Sequence, residues 1–194
     1  IARPYLDARE QQAAAEVIAS GWVAQGPKVG QFEEAFAAYV GVKFAVAMTS
    51  CTAALHSAQV ASGVGAGDEV IVPSLSFIAT ANSVVHCGAR PVFVDVLPET
   101  CNIDPSKLEK AITKNTKAIM PVHQMGLPAD IDAIAEIATR YNLKVIEDAA
   151  CAIGSEYKGK RIGSHGNTAC FSFHPRKVIT TGEGGMITTD DPEL

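Results

Sequence analysis

Short apolar runs recur along the chain at 44–48, 69–72, 91–96, 117–122, 144–147, 169–173 and 185–189. Most are continuous rather than alternating, the pattern of strands covered on both faces. Amphipathic segments with helical period lie between them. Residues 29–40 set Phe32, Ala35, Phe36, Tyr39 and Val40 on one stripe, with Gly41 as the stop. Asp104 and Pro105 open a short helix whose inner face carries Leu108 and Ile112. Asp130 caps a helix over 131–141, with Ile131, Ile134, Ile137, Ala138 and Tyr141 as its stripe. Such alternation predicts an α/β fold with right-handed crossovers and a mostly parallel sheet. Only eleven residues, 174–184, separate the sixth run from the seventh, too few for a helical crossover. A seven-stranded mixed sheet follows, six strands parallel and the seventh antiparallel.

Composition narrows the class. The 194 residues are 47% hydrophobic and 19% charged, enough for a packed core and too apolar for disorder. A net charge of −5 argues against a general nucleic-acid binder but leaves room for a local anion site. No run of eighteen apolar residues predicts a membrane span, and no secretory leader pattern is visible, so the expected compartment is the cytoplasm. Cys51, Cys87, Cys101, Cys151 and Cys170 are odd in number and lack C-x-x-C spacing. Neither a disulfide framework nor a thiolate zinc site is expected, which fits a reducing environment. The five histidines show no metal-ligand spacing, and no metal is expected. The chain starts at Ile1 rather than Met, which suggests a missing or processed start, and it ends at Leu194 in what reads as a turn.

In an open parallel sheet, ligands bind beyond the carboxyl ends of the strands. After the first run, Ser50, Cys51 and Thr52 open a helix, where free N–H groups and hydroxyls suit a phosphate or carboxylate, although an ordinary cap looks the same. After the fifth comes Glu147-Asp148, and a carboxylate at a buried strand end needs a cation, a metal or a protonated ring nitrogen unless it merely caps. After the sixth comes His174-Pro175-Arg176-Lys177, where a buried lysine suits Schiff-base chemistry and an exposed one does nothing special. An anion cradle, a buried acid and an amine at one sheet edge are what pyridoxal phosphate requires. Other motifs fail. Residues 154–161 approach a Walker loop but end in Arg161 where a hydroxyl should hold magnesium, and Lys158-Gly159-Lys160 reads as a hairpin turn. No G-x-G-x-x-G follows the first strand, and no G-x-S-x-G occurs.

Glu147-Asp148-Ala149-Ala150, Phe171-Ser172-Phe173-His174-Pro175-Arg176-Lys177 and Gly182-Glu183-Gly184-Gly185 together resemble the DegT/StrS-type sugar aminotransferases. The likeness extends to Gly21-Trp22, Asn102-Ile103-Asp104 and Val122-His123, and so to nearly the whole chain. It implies an incomplete large domain of the fold type I pyridoxal phosphate enzymes over 1–194, without its last part and without the small carboxyl-terminal domain. Lys177 matches the lysine bonded covalently to the cofactor, and Asp148 the acid that keeps the pyridine nitrogen protonated. Phe77 matches the aromatic stacked on the ring. Ser50, Cys51, Thr52 and Ser172 match the phosphate contacts, and Cys151 lies at the position near the ring hydroxyl. The family often has glycine at 51 and glutamine at 151. Sugar dehydratases of this family carry histidine where Lys177 stands, so transamination is implied. The implied reaction moves an amino group from an amino acid, glutamate by analogy, to a nucleotide-linked keto-sugar in amino-sugar and polysaccharide biosynthesis, at the interface of a homodimer. Two alternatives remain: a truncated, non-catalytic cofactor-binding or oligomerisation module, and another enzyme of the same fold, such as an amino-acid transaminase or a desulfurase. The 171–177 motif matches the sugar branch more closely.

Overall fold

The computed structural model describes residues 3–194; Ile1, on which the expectation of a missing start rests, lies outside the described residues. Two helices, α1 (Ala8–Ser20) and α2 (Pro27–Val40), precede an alternation of strands and helices. It runs β1 (Phe44–Met48), α3 (Cys51–Ala61), β2 (Glu69–Pro73), α4 (Ala79–His86), β3 (Arg90–Val94), α5 (Leu108–Ala111), β4 (Thr116–Ile119), α6 (Ile131–Arg140) and β5 (Lys144–Asp148). A two-residue-per-strand hairpin, β6 (Glu156–Tyr157) and β7 (Lys160–Arg161), leads to β8 (Thr168–Ser172) and β9 (Gly185–Thr189). The hairpin turn falls at Lys158 and Gly159, both with positive φ, as the sequence suggests.

The seven-stranded sheet has the order β1-β9-β8-β5-β4-β2-β3. β9 is antiparallel to both neighbours and the other six strands are mutually parallel. The expected antiparallel seventh strand is therefore present, and it lies inside the sheet, between β1 and β8. The segment 174–184 that reverses the chain is closed by its own bonds: Phe173 N–H donates to Gly184 C=O at 2.9 Å, and Thr181 N–H to Phe173 C=O at 3.1 Å. It has no room for a helix, and this compact loop carries Lys177.

Side-chain alternation along the strands feeds a core on each face. Val70 and Val72 pack with Leu55, Ala58 and Val84 under α3 and α4, whereas Ile71 packs with Leu108, Ile134 and Ile137 under α5 and α6. Ala169 and Phe171 face α2, where Phe36 lies 5.2 Å from Phe171 and 5.5 Å from Phe173 between ring centroids. Each fully buried side chain such as Leu55 or Ile71 stabilises the fold by about 1.5–3 kcal/mol relative to exposure. β2, β8 and β9 are buried at every residue, while the edge strands β1 and β3 keep exposed positions.

Some boundaries differ from the pattern. α2 begins at Pro27 and buries Phe36, Ala37 and Val40; Ala35 and Tyr39 turn outward, and the Tyr39 ring carries the Arg161 guanidinium at 3.9 Å. α6 ends one residue early, so Tyr141 is its C-cap and half-exposed rather than part of the stripe. β4 stops at Ile119 because Pro121 has no N–H to extend the ladder, which resumes as a single bridge from Val122 to Asp148. α1 has no buried residue and hence no apolar stripe to read. It stands on a capping box between Asp7 and Glu10 and on a left-handed Gly21 at its end.

Candidate active site

The carboxyl ends of the parallel strands and the start of β9 share one edge of the sheet. Ser50 caps α3, its Oγ accepting from Ala53 N–H at 3.1 Å. The N–H groups of Cys51 and Thr52, the first two of the helix, lie outside the intrahelical ladder and are open to an anion. Ser172 ends β8 and is paired with Gly185 at the start of β9. Gly185 lies tight against the helix start: a Cβ there would fall 2.5 Å from the Ser50 carbonyl carbon and 2.6 Å from the Cys51 nitrogen. Only glycine lets β9 approach so closely, and that approach brings the Ser172 strand end to the open N–H groups.

Asp148 ends β5 and is 4% exposed. One carboxyl oxygen accepts from the Thr80 hydroxyl at 2.7 Å, the other from Ala150 N–H at 3.2 Å. Burial raises its pKa above the ordinary 3.8, opposed by those two hydrogen bonds and by nearby His123 and Lys177. Among the described residues no cationic side chain makes an ion pair with it. Behind it, His123 Nδ1 accepts from Ala129 N–H at 3.0 Å, which leaves Nε2–H to donate to Glu147 at 3.0 Å. The other Glu147 oxygen takes the Asn167 amide at 2.7 Å. This buried network ties the end of β4 to β5 and holds Asp148 in register.

Lys177 points its amine at the Cys151 sulfur, 3.1 Å away. Its charge acts to lower the pKa of both Asp148 and Cys51, so the amine lies within electrostatic reach of the acid and of the helix start without pairing with either. The Cys51 thiol is nonetheless pushed well up, first by burial and then by the Asp148 charge, and its Sγ lies 3.6 Å from the Cys170 carbonyl oxygen. It behaves as a packed thiol whose backbone, not its sulfur, faces the cradle.

Of the residues singled out by sequence, Ser50, Cys51, Thr52, Asp148, Cys151, Ser172 and Lys177 are thus gathered at one place. Phe77 follows β2 on the same edge, where it is 77% exposed and, among the described residues, no other aromatic ring stacks on it. Sequence reasoning missed Thr80, whose partner is 68 residues away. It also gave no role to Gly185, although its place in a glycine pair opening a strand was a usable signal. The donor set fits pyridoxal phosphate: free backbone N–H groups at a helix start, a buried acid that no cation pairs with among the described residues, and an amine within its electrostatic reach.

The family model for the DegT/DnrJ/EryC1/StrS aminotransferases matches residues 4–194. The chain is 55% identical to GDP-perosamine synthase of Caulobacter vibrioides over 195 aligned positions, which cover all of this chain and 53% of that protein. It superimposes on the aminotransferase from Psychrobacter cryohalolentis with a TM-score of 0.95 at 43% identity, covering all of this chain and 50% of that one. The sugar aminotransferase Spr1654 of Streptococcus pneumoniae, described as putative and solved in its PLP form, gives 0.93 at 34% identity, covering 99% and 53%. The chain spans about half the length of the curated relatives it matches. Its fold is that of the large domain of the fold type I pyridoxal phosphate enzymes, and the chain belongs to the DegT/DnrJ/EryC1/StrS aminotransferase family.

Proposed function

We propose that residues 1–194 form the cofactor-binding large domain of a sugar aminotransferase that moves an amino group from an amino acid, glutamate in our reading, to a nucleotide-linked keto-sugar. The observation that carries this is the convergence of the Lys177 amine, the Asp148 carboxylate and the α3 N-terminus at one sheet edge. When bound there, pyridoxal phosphate supplies an electron sink for the substrate carbon. Asp148 holds a proton on the ring nitrogen. The N–H groups of Cys51 and Thr52, with the Ser50 and Ser172 hydroxyls, hold the phosphate. Lys177 would hold the aldehyde end of the cofactor, and its amine would take the proton from the substrate carbon as base and return it as acid. Cys151 would lie near the ring hydroxyl, and Phe77 would stack on the ring. GDP-perosamine synthase, by its name, makes a nucleotide-linked sugar, which supports that acceptor class.

Exposed Phe77, Ile78, Val178 and Met125 flank this edge and support a homodimer that covers it. No helix among the described residues is long and apolar enough to cross a membrane, and we place the enzyme in the cytoplasm. The amine gives the direct test. Protein incubated with pyridoxal phosphate and reduced with borohydride should carry the adduct on Lys177, mapped by peptide mass spectrometry, and Lys177→Ala should lose it. An adduct on a different lysine would overturn the assignment. Glutamate-dependent transfer to a nucleotide keto-sugar is the second readout. Because the chain spans half of its relatives, the rival is a non-catalytic cofactor-binding or oligomerisation module, and it predicts cofactor binding, or none, without transfer.

A further inference from the structure

Behind Asp148 lies a chain of hydroxyls that the proposed reaction does not yet use. Thr80, in the first turn of α4, is 1% exposed, and its Oγ1 lies 2.7 Å from Asp148 Oδ2. The Ser76 hydroxyl lies 2.7 Å from the same Oγ1. An ionised carboxylate only accepts, so the single Thr80 proton points at Asp148, and the Ser76 proton must then point at Thr80. The chain has one direction, from Ser76 through Thr80 to the acid. α4 is held in place for this from the far side. Ser83 Oγ donates to the Thr80 carbonyl at 2.9 Å and accepts from Gln59 Nε2 at 2.9 Å. Gln59 belongs to α3 and donates also to Leu55 C=O at 3.0 Å. The helix whose N-terminus forms the anion cradle is thereby tied, through Gln59, Ser83 and Thr80, to the acid at the end of β5.

We propose that Thr80 is a positioning residue: with Ser76 behind it, its hydroxyl aims the Asp148 carboxylate and stabilises its anionic form for the ring nitrogen of the cofactor. This rests on the cofactor reading above. Charged and titratable groups face Asp148 from each packed element: His123 after β4, Lys177 from the loop after β8, Cys51 at the start of α3 and Cys170 in β8. Burial opposes ionisation there, and among the groups that favour it the Thr80 hydrogen bond is the strongest. A purely structural role, filling space under α4, would be met equally well by valine.

The test begins with cofactor-free protein carrying carboxyl-labelled aspartate, with the Asp148 signal assigned by its loss in Asp148→Asn. Thr80→Val should raise the Asp148 titration midpoint, and Thr80→Ser should keep it at the wild-type value. With cofactor added, Thr80→Val should bind pyridoxal phosphate about tenfold more weakly, the order expected for one hydrogen bond to a charged group. A folded Thr80→Val with an unmoved midpoint overturns the proposal, as does a Thr80→Ser shifted as far as Thr80→Val. If Thr80→Val does not fold, Ser76→Ala stands in: a raised midpoint supports the chain and an unchanged one refutes it. The two readings fail separately. Absence of a borohydride adduct on wild-type Lys177 sinks the cofactor assignment, whereas the midpoints are read without cofactor and judge Thr80 by themselves.

Discussion

At the scale of single residues, the site depends on groups whose chemistry is changed by burial. Asp148 is the clearest case, since its pKa lies above 3.8 mainly through desolvation. Only its anion pairs with a protonated ring nitrogen. Affinity for pyridoxal phosphate is therefore expected to fall as the pH drops through the raised value, and Asp148→Asn should be weaker and flat across that range; equilibrium titrations followed by cofactor absorbance would check both. Without cofactor the sign for folding is opposite. The folded state binds this proton more tightly than the unfolded chain, so Asp148 takes stability away as the pH rises from 3.8 through the folded value. The position of Asp148 and Lys177 after apolar runs makes both readable from sequence. Thr80 is not, because a threonine near the start of a helix has no feature that names a partner 68 residues off.

At the scale of elements, the close approach of β9 to α3 shapes the proposed anion cradle. Gly185→Ala puts a methyl 2.5 Å from the Ser50 carbonyl carbon, where backbone rather than a flexible side chain must give way. The expected loss is about 1–3 kcal/mol of stability from overpacking, with a larger relative loss of pyridoxal phosphate affinity because the Cys51 and Thr52 N–H groups move. Urea unfolding and cofactor titration of the same preparation would separate the two effects. The strands and the helices α2 and α6 are legible because tertiary burial writes a period into their sequences. α1 escapes that reading because nothing in it is buried; its caps at Asp7, Glu10 and Gly21 were the only signal. Tyr141 misleads in the opposite way, since it keeps the phase of the α6 stripe but falls one residue past the helix.

At the scale of the whole molecule, acid stability follows from pairs that fasten the sheet. Glu69 in β2 stands opposite Arg90 in β3, pairs with it, and accepts the Thr113 hydroxyl at 2.7 Å. Thr113 first and Arg90 next hold its carboxyl below the ordinary 4.5. A lowered folded value contributes stability above 4.5 that is lost as the pH falls through the folded value. Thr113→Val should therefore reduce stability at neutral pH and make its decline below 4.5 shallower, as measured by denaturant midpoints across pH. The sequence by itself determined the α/β class, the seven strands and the reversal of the last one, and it singled out the three chemical pieces of the proposed site. Each of these is written locally, in the period of burial, in a connection too short for a helix, and in polar groups that follow apolar runs. Only the tertiary structure decided that β9 lies between β1 and β8, that Gly185 closes against the start of α3, and that Thr80 reaches Asp148. Those are contacts between distant segments, and their selection depends on which surfaces meet once the two cores are packed, a quantity no local window of sequence contains.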